Sequence, residues 1–197
     1  MYNHIYKRVE MEKMKYIIFG VVAVFVIILI YVISTYNSLV KEKNKVRTNW
    51  SQIDVVLKRR SDLIPNLLET VKGYTTHEKE TLEATISARN KYLSANTSAE
   101  KIEANTELSA AVNRVMLLAE AYPELKADTS FVELQKSLKE SEDKIQFARQ
   151  FYNDSVYTYT NRLESFPSSI IANMFNFEHY ELFLIEDFEK ETPKVKF

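Results

Sequence analysis

Histidine, cysteine and paired carboxylates most often carry proton transfer, metal binding or nucleophilic attack, and this chain has few of them in usable spacing. Its histidines are His4, His77 and His179. A carboxylate-bridged di-iron centre in a helical bundle needs Glu-x-x-His on two helices. Here Tyr74 stands three residues before His77, and Asn176 three before His179. His77-Glu78 continues as Lys79-Glu80-Thr81, so the zinc-binding HExxH spacing fails as well. No cysteine is present to form disulfides, ligate metal, carry a lipid or attack a substrate. Gly20 and Gly73 stand alone and cannot build a phosphate-cradling loop, and no glycine-framed serine neighbours a histidine. Glu78/Glu80 and Glu186/Asp187 lie in polar runs, where a solvated surface role is expected. The expectation is a non-enzyme with no catalytic residue, metal ligand or cofactor.

The informative polar residues are those that intrude on apolar stripes. Arg60 falls between Leu57 and Ile64 at helical spacing, Arg89 between Ile86 and Leu93, and Arg149 beside Ala148. A charge facing a bundle interior is costly unless it is paired and hydrogen-bonded. Arg60 or Arg89 is therefore expected to meet a carboxylate on a facing helix, with Asp62 and Glu69 the nearest local candidates. The competing expectation is that the guanidinium heads snorkel to water over buried stems. Arg59 adjoins this group, and Pro65 with Asn66 interrupts the same stripe.

These residues need elements to hold them. Tyr16 to Tyr36 carries no charge and one glycine, and as a helix it would cover roughly 30 Å, the hydrocarbon thickness of a bilayer. It exceeds the ~7–15 apolar residues of a signal peptide, so an uncleaved single-pass anchor is expected. The flanks balance, with Lys7, Arg8, Lys13 and Lys15 before it and Lys41, Lys43, Lys45 and Arg47 after it. Lys58, Arg59 and Arg60 beyond tip the count towards a cytoplasmic domain. After residue 36 the chain has 22 Lys/Arg against 25 Asp/Glu, which lacks the basic footprint of a nucleic-acid binder.

Two glycines and four prolines are too few for sheets and tight hairpins. The fold class expected is all-α: an antiparallel up-and-down bundle of about four helices behind the N-terminal transmembrane helix. Leu39, Val46, Trp50, Ile53, Leu57, Ile64, Leu67 and Val71 form one stripe on a long first helix. Pro65 should kink that helix without ending it, and Gly73 should stop it. Thr75 and Glu78 have capping-box spacing for a second helix buried through Leu82, Ile86 and Leu93. Thr97 and Glu100 repeat that spacing for a third, through Ile102, Leu108, Val112, Val115 and Ala119, which ends before Pro123. A fourth begins near Thr129 and carries Phe131, Leu134, Leu138, Ile145, Ala148, Tyr152, Val156 and Tyr159 as far as 162–166. The organisation expected is a flank at 1–15, an anchor at 16–36, a bundle at 37–166 and an aromatic, acidic segment at 167–197.

In that last segment Ile170, Ile171, Met174, Phe175 and Phe177 crowd together, and six acids interleave with aromatics between Glu178 and Glu191. Packing back onto the bundle is the first expectation, and docking of a partner by an exposed segment the second. The acids disfavour contact with an anionic leaflet.

The run from Arg59 to Tyr74 (RRSDLIPNLLETVKGY), followed by His77-Glu78, resembles the signature of the LemA family of bacterial membrane proteins. Ala88-Arg89, Ala121 to Ala127, Phe131, Leu134-Gln135, Ala148-Arg149, Tyr152-Asn153 and Phe166-Pro167 continue the resemblance in order. It implies one N-terminal anchor and an antiparallel helical bundle, and it brings no established biochemical activity. One branch of the family is associated with magnetosome membranes, and other relatives carry a lipoprotein-type cysteine that this chain lacks. Arg59, Arg60, Asp62, Pro65, Asn66, Glu69, Arg89 and Arg149 are the structural or interaction residues to locate.

The function expected is a membrane-anchored scaffold that presents a bundle surface to protein partners, with no nucleic acid involved. Self-association is a second reading, since the long first helix offers a seam for coiled-coil pairing. The anchor itself has no small-xxx-small pair with Gly20 to bring helices close. A ligand-binding sensor is a third, with tyrosine and phenylalanine lining a cleft between helices.

Overall fold

A computed structural model describes residues 2–75 and 77–184, with side chains described from residue 11 onward. Among the described residues there are six helices and no strand. They are α1 (Tyr2–Lys72), α2 (Lys79–Ser94), α3 (Ser98–Ala121), α4 (Pro123–Lys126), α5 (Thr129–Glu164) and α6 (Ser168–Met174). The chain divides into two compact units, Met1–Asn44 with Thr158–His179 and Lys45–Tyr157 with Tyr180–Phe197.

The larger unit is a four-helix up-and-down bundle. Trp50 of α1 packs its ring against Tyr152 of α5 at 5.5 Å, and Arg60 of α1 meets Glu142 of α5. Ten residues up one helix are ten down the other, so the two run antiparallel. Lys101 of α3 bridges Asp54 of α1, and Ser109 of α3 accepts from Arg60, which sets those two helices parallel. Lys91 of α2 reaches Glu103 and Glu107 of α3 across the tight link between them. Ile53, Leu57, Ile64, Leu67, Val71, Leu108, Val112, Val115, Phe131, Leu138 and Ile145 are buried, so the stripes on α1, α3 and α5 do face inward. α1 runs through Pro65 as unbroken helix.

Three boundaries follow from local chemistry. Thr97 accepts from the Glu100 amide while the Glu100 carboxylate accepts from the Thr97 amide, a complete capping box at the start of α3. The box expected at Thr75 and Glu78 does not form. Thr75 instead donates its hydroxyl and amide back to the Val71 carbonyl, closing α1, and α2 starts at Lys79 with no side-chain cap. Pro123 opens the four-residue α4, where its missing N–H costs nothing. The Asp128 carboxylate then caps α5 through the Phe131 amide and takes the Tyr74 hydroxyl at 2.9 Å.

The buried face of α2 is a further correction. Thr85, Ala88 and Tyr92 point inward, while Ile86 and Leu93 are exposed and Leu82 is half-buried. The helix is rotated by about one residue from its expected setting, for a reason that lies in Arg89.

The smaller unit joins the apolar part of α1 to the end of α5 and to α6. The described part of α1 holds a stretch long and apolar enough to cross a membrane, and most large apolar side chains between residues 16 and 33 are exposed. Leu39, Leu163, Ile171 and Ala172 are buried, and Ser168 caps the end of α5 by donating to the Arg162 and Ser165 carbonyls. α6 ends in a Schellman motif: the Phe177 amide donates to Ala172 and the Asn176 amide to Asn173, with Asn176 in the left-handed region at φ 51°. That reversal sets Tyr36 between the rings of Phe175 and Phe177, at 4.8 and 5.7 Å.

The capping carboxylates make stability depend on pH. Asp128 is held below its ordinary value first by the Phe131 amide and then by the Tyr74 hydroxyl, and Glu100 by the Asn96 and Thr97 amides. A carboxylate depressed in the folded state contributes stability above its unfolded value, and that contribution is lost as pH falls through the folded value. Asp128→Asn should therefore lower the melting temperature at pH 7 and converge with the parent chain by about pH 2. A gap that stays constant from pH 7 to 2 would show that the charge contributes nothing.

Candidate functional site

The residues singled out in the sequence converge on the middle of the bundle, where a proline creates a need. In an α-helix each amide donates to the carbonyl four residues earlier. Pro65 has no amide hydrogen, so the Ser61 carbonyl loses its helical donor. Ser61 is fully buried, out of reach of water. Arg89 of α2 fills the gap, its Nε donating to the Ser61 carbonyl at 3.0 Å. A buried acceptor left unmade would cost about 1–3 kcal/mol.

One residue earlier in α1, Arg60 is buried, with 5% of its side chain exposed. Its guanidinium bonds Ser109 of α3 at 2.9 Å and pairs with Glu142 of α5, whose side chain is 36% exposed. The carboxylate partner is therefore on a facing helix, and neither Asp62 nor Glu69 supplies it. Asp62 is exposed and bridges Lys58, and Glu69 is exposed. Arg59, Pro65 and Asn66 are exposed too, although the Asn66 carbonyl accepts from the Thr70 hydroxyl. Two consecutive residues of α1, Arg60 and Ser61, thus tie it to all three other bundle helices.

Beside the pair lies a cleft of about 320 Å³, lined by Arg60, Ser109, Asn113, Gln135, Lys139 and Glu142. The Arg60 charge is met by Glu142 of a facing helix, so the arrangement fixes geometry. Glu142 was missed in the sequence, yet it carries the signal that picked out Arg60. It sits between Leu138 and Ile145 at helical spacing, a carboxylate intruding on an apolar stripe.

Arg149 has a different task. Its guanidinium lies over the Phe183 ring at 5.5 Å. The next turn holds the same stretch by its backbone. Asn153 accepts from the Phe183 amide at 2.8 Å and donates to its carbonyl at 3.0 Å, holding both backbone polar groups of one residue. Tyr152 donates to the Glu181 carbonyl at 2.9 Å, and burial first, then Tyr180 and Glu181, pushes its hydroxyl up to about 12, so it stays a donor. Arg47 donates to the Tyr180 hydroxyl, and Phe183 is buried. Residues 180–184 therefore pack back as a segment clamped by side chains, and the acidic stretch from residue 185 on lies outside the described residues.

Two substitution series test the central node. Glu142→Gln leaves a buried guanidinium without its counter-charge and should cost about 2 kcal/mol, less than a fully buried pair because Glu142 is partly exposed. Arg60→Met with Glu142→Leu should restore most of that loss. Chemical denaturation of the solubilised protein reads both, and an unchanged Glu142→Gln midpoint would show the pair to be energetically idle. In the second series, Arg89→Met should cost about 1–3 kcal/mol in the parent chain. It should cost at least about 1 kcal/mol less in a Pro65→Ala background, where residue 65 supplies its own amide to Ser61. Strict additivity of the two changes would separate Arg89 from the proline gap.

Comparison with known proteins fits this geometry. Protein LemA of Metamycoplasma hominis is 22% identical over 182 residues, covering 91% of this chain and 82% of that protein. The LemA family model matches residues 49–197, a span that takes in the proline gap, Arg60, Arg89 and the clamp on residues 180–184. The chain belongs to the LemA family.

Proposed function

We propose that this protein is a membrane-anchored helical module that offers a docking surface to other proteins. The observation that carries the reading is a pair of aromatic side chains one turn apart on α5. Phe147 and Phe151 are 65% and 61% exposed. Isolated exposed apolar residues are ordinary, but adjacent large aromatics on a rigid helix are the kind of side chain that dominates protein interfaces. The exposed apolar run of α1 supplies the tether, and a tethered domain meets membrane partners at raised effective concentration. Basic residues after the anchor favour the cytoplasmic side.

Self-association and ligand sensing remain the weaker proposals. Gly20 has open space around it but no small residue four positions away to complete a packing motif. The cleft beside Arg60 has its one buried charge already paired.

A photoreactive amino acid at Phe151 should give a discrete adduct heavier than the chain in native membranes, and Phe147→Ser should abolish that adduct without moving the melting temperature. Adducts at multiples of the chain's own mass would favour self-association, and no protein adduct would refute the docking surface. In the same membranes, Ser98→Cys should react with an impermeant maleimide only after lysis. Reaction in intact cells would place the module outside.

A further inference from the structure

We infer that α6 and the residues flanking it form a second membrane contact, seated in the lipid interface beside the exit of the anchor. The inference rests on the anchor reading and extends it to a part of the chain far away in sequence.

The first observation is composition. From Ser165 to Phe177 the chain carries no charge, and the acids begin only at Glu178. The repulsion expected between an acidic tail and an anionic leaflet therefore does not apply to this stretch. The second is the division of faces. Ile171 and Ala172 are buried against the protein, while Ile170 and Met174, four residues apart, are 58% and 59% exposed. Phe166, just before the helix, is 82% exposed, and Phe175, just after it, is partly exposed. A short helix with one face on protein and the other large, apolar and open lacks an occupant for its outer face.

Position identifies that occupant. The Phe175 ring packs 4.8 Å from the ring of Tyr36, the last residue of the apolar run that starts at Tyr16. Tyr36 also meets Phe177, which lies beneath the Lys43 ammonium at 5.8 Å. Tyrosine at the end of a span, followed by lysine, is the arrangement that marks the headgroup level of a bilayer. α6 is thus held at that depth by direct contact with the last residue of the apolar run, whose own large side chains are exposed. Interfacial helices bury an apolar face by several ångströms beneath the headgroups, and Ile170 and Met174 present such a face. A lipid surface is the occupant, since the neighbouring surface already belongs to lipid.

The absence of native cysteine allows site-specific nitroxide labels on the full chain in lipid vesicles. Labels at Val26→Cys, Ile170→Cys, Met174→Cys and Ser98→Cys would be compared by collision with oxygen, which partitions into lipid, and with a water-soluble nickel chelate. The label at 26 should favour oxygen and that at 98 the chelate. Those at 170 and 174 should favour oxygen, at a shallower depth than 26. If 26 behaves as lipid-exposed while 170 and 174 resemble 98, the second contact is refuted and the anchor stands. Low collision with both probes at 170 and 174, as under protein, would overturn the lipid assignment. A water-exposed label at 26 would remove the anchor reading and this inference with it.

Discussion

A single missing hydrogen organises the bundle. Pro65 lies in the middle of the longest helix, where a lost amide leaves the Ser61 carbonyl to be satisfied from outside α1. Only a long, fixed donor from a neighbouring helix can reach it, and Arg89 does so. That bond constrains the rotation of α2 about its own axis. Tyr92, Ala88 and Thr85 must then turn inward and Ile86 and Leu93 outward, although hydrophobicity alone would favour the reverse. The proline gap thus outweighs the burial of two aliphatic side chains, each worth roughly 1.5–3 kcal/mol when fully buried. It can do so because both aliphatics keep partial cover, and because a buried unpaired carbonyl beside an unpartnered arginine would forfeit two terms together.

Arg60 adds register to rotation. A buried ion pair is weak evidence of stability, since desolvation offsets much of its attraction, and its best-attested use is to specify one arrangement among several. Arg60 serves that purpose here by touching α3 and α5 at one level of the bundle. A slip of α5 by one turn would leave the guanidinium facing Leu138 or Ile145. Asp54 with Lys101, nearly two turns away, repeats the constraint between α1 and α3 in a wetter setting. Stripes of Leu, Ile and Val pack nearly as well in several registers, and these polar contacts choose among them.

How far the fold could be read from the sequence follows from the same division. The stripes on α1, α3 and α5 were legible because 3.6-residue periodicity is a local property, and the Thr97–Glu100 box because its partners are three residues apart. Arg60 and Arg89 stood out as charges among apolar neighbours. Their partners did not, because Glu142 and the Ser61 carbonyl are brought near only by the bundle, and Asp62 was merely close along the chain. The Thr75–Glu78 spacing misled for a related reason: the same threonine can close the helix before it or open the one after it, and here its hydroxyl and amide both turn back to the Val71 carbonyl. The clamp on residues 180–184 was invisible for want of pattern. Asn153 and Tyr152 read backbone atoms, and any sequence supplies those.

That last feature bears on what such a bundle is suited to do. Backbone-directed clamps hold a segment while leaving its outward side chains free to vary. Rotation and register are fixed by arginines rather than by maximal apolar burial, which leaves large apolar side chains over for the outside: Leu117 on α3, and Phe147 and Phe151 on α5. In a freely diffusing protein such side chains invite aggregation. With the proposed anchor, diffusion would be confined to the bilayer, so weak and reversible contacts would become effective at modest intrinsic affinity. A fold that specifies itself with charges and turns its surplus aromatics outward has the surface that the proposed docking role requires.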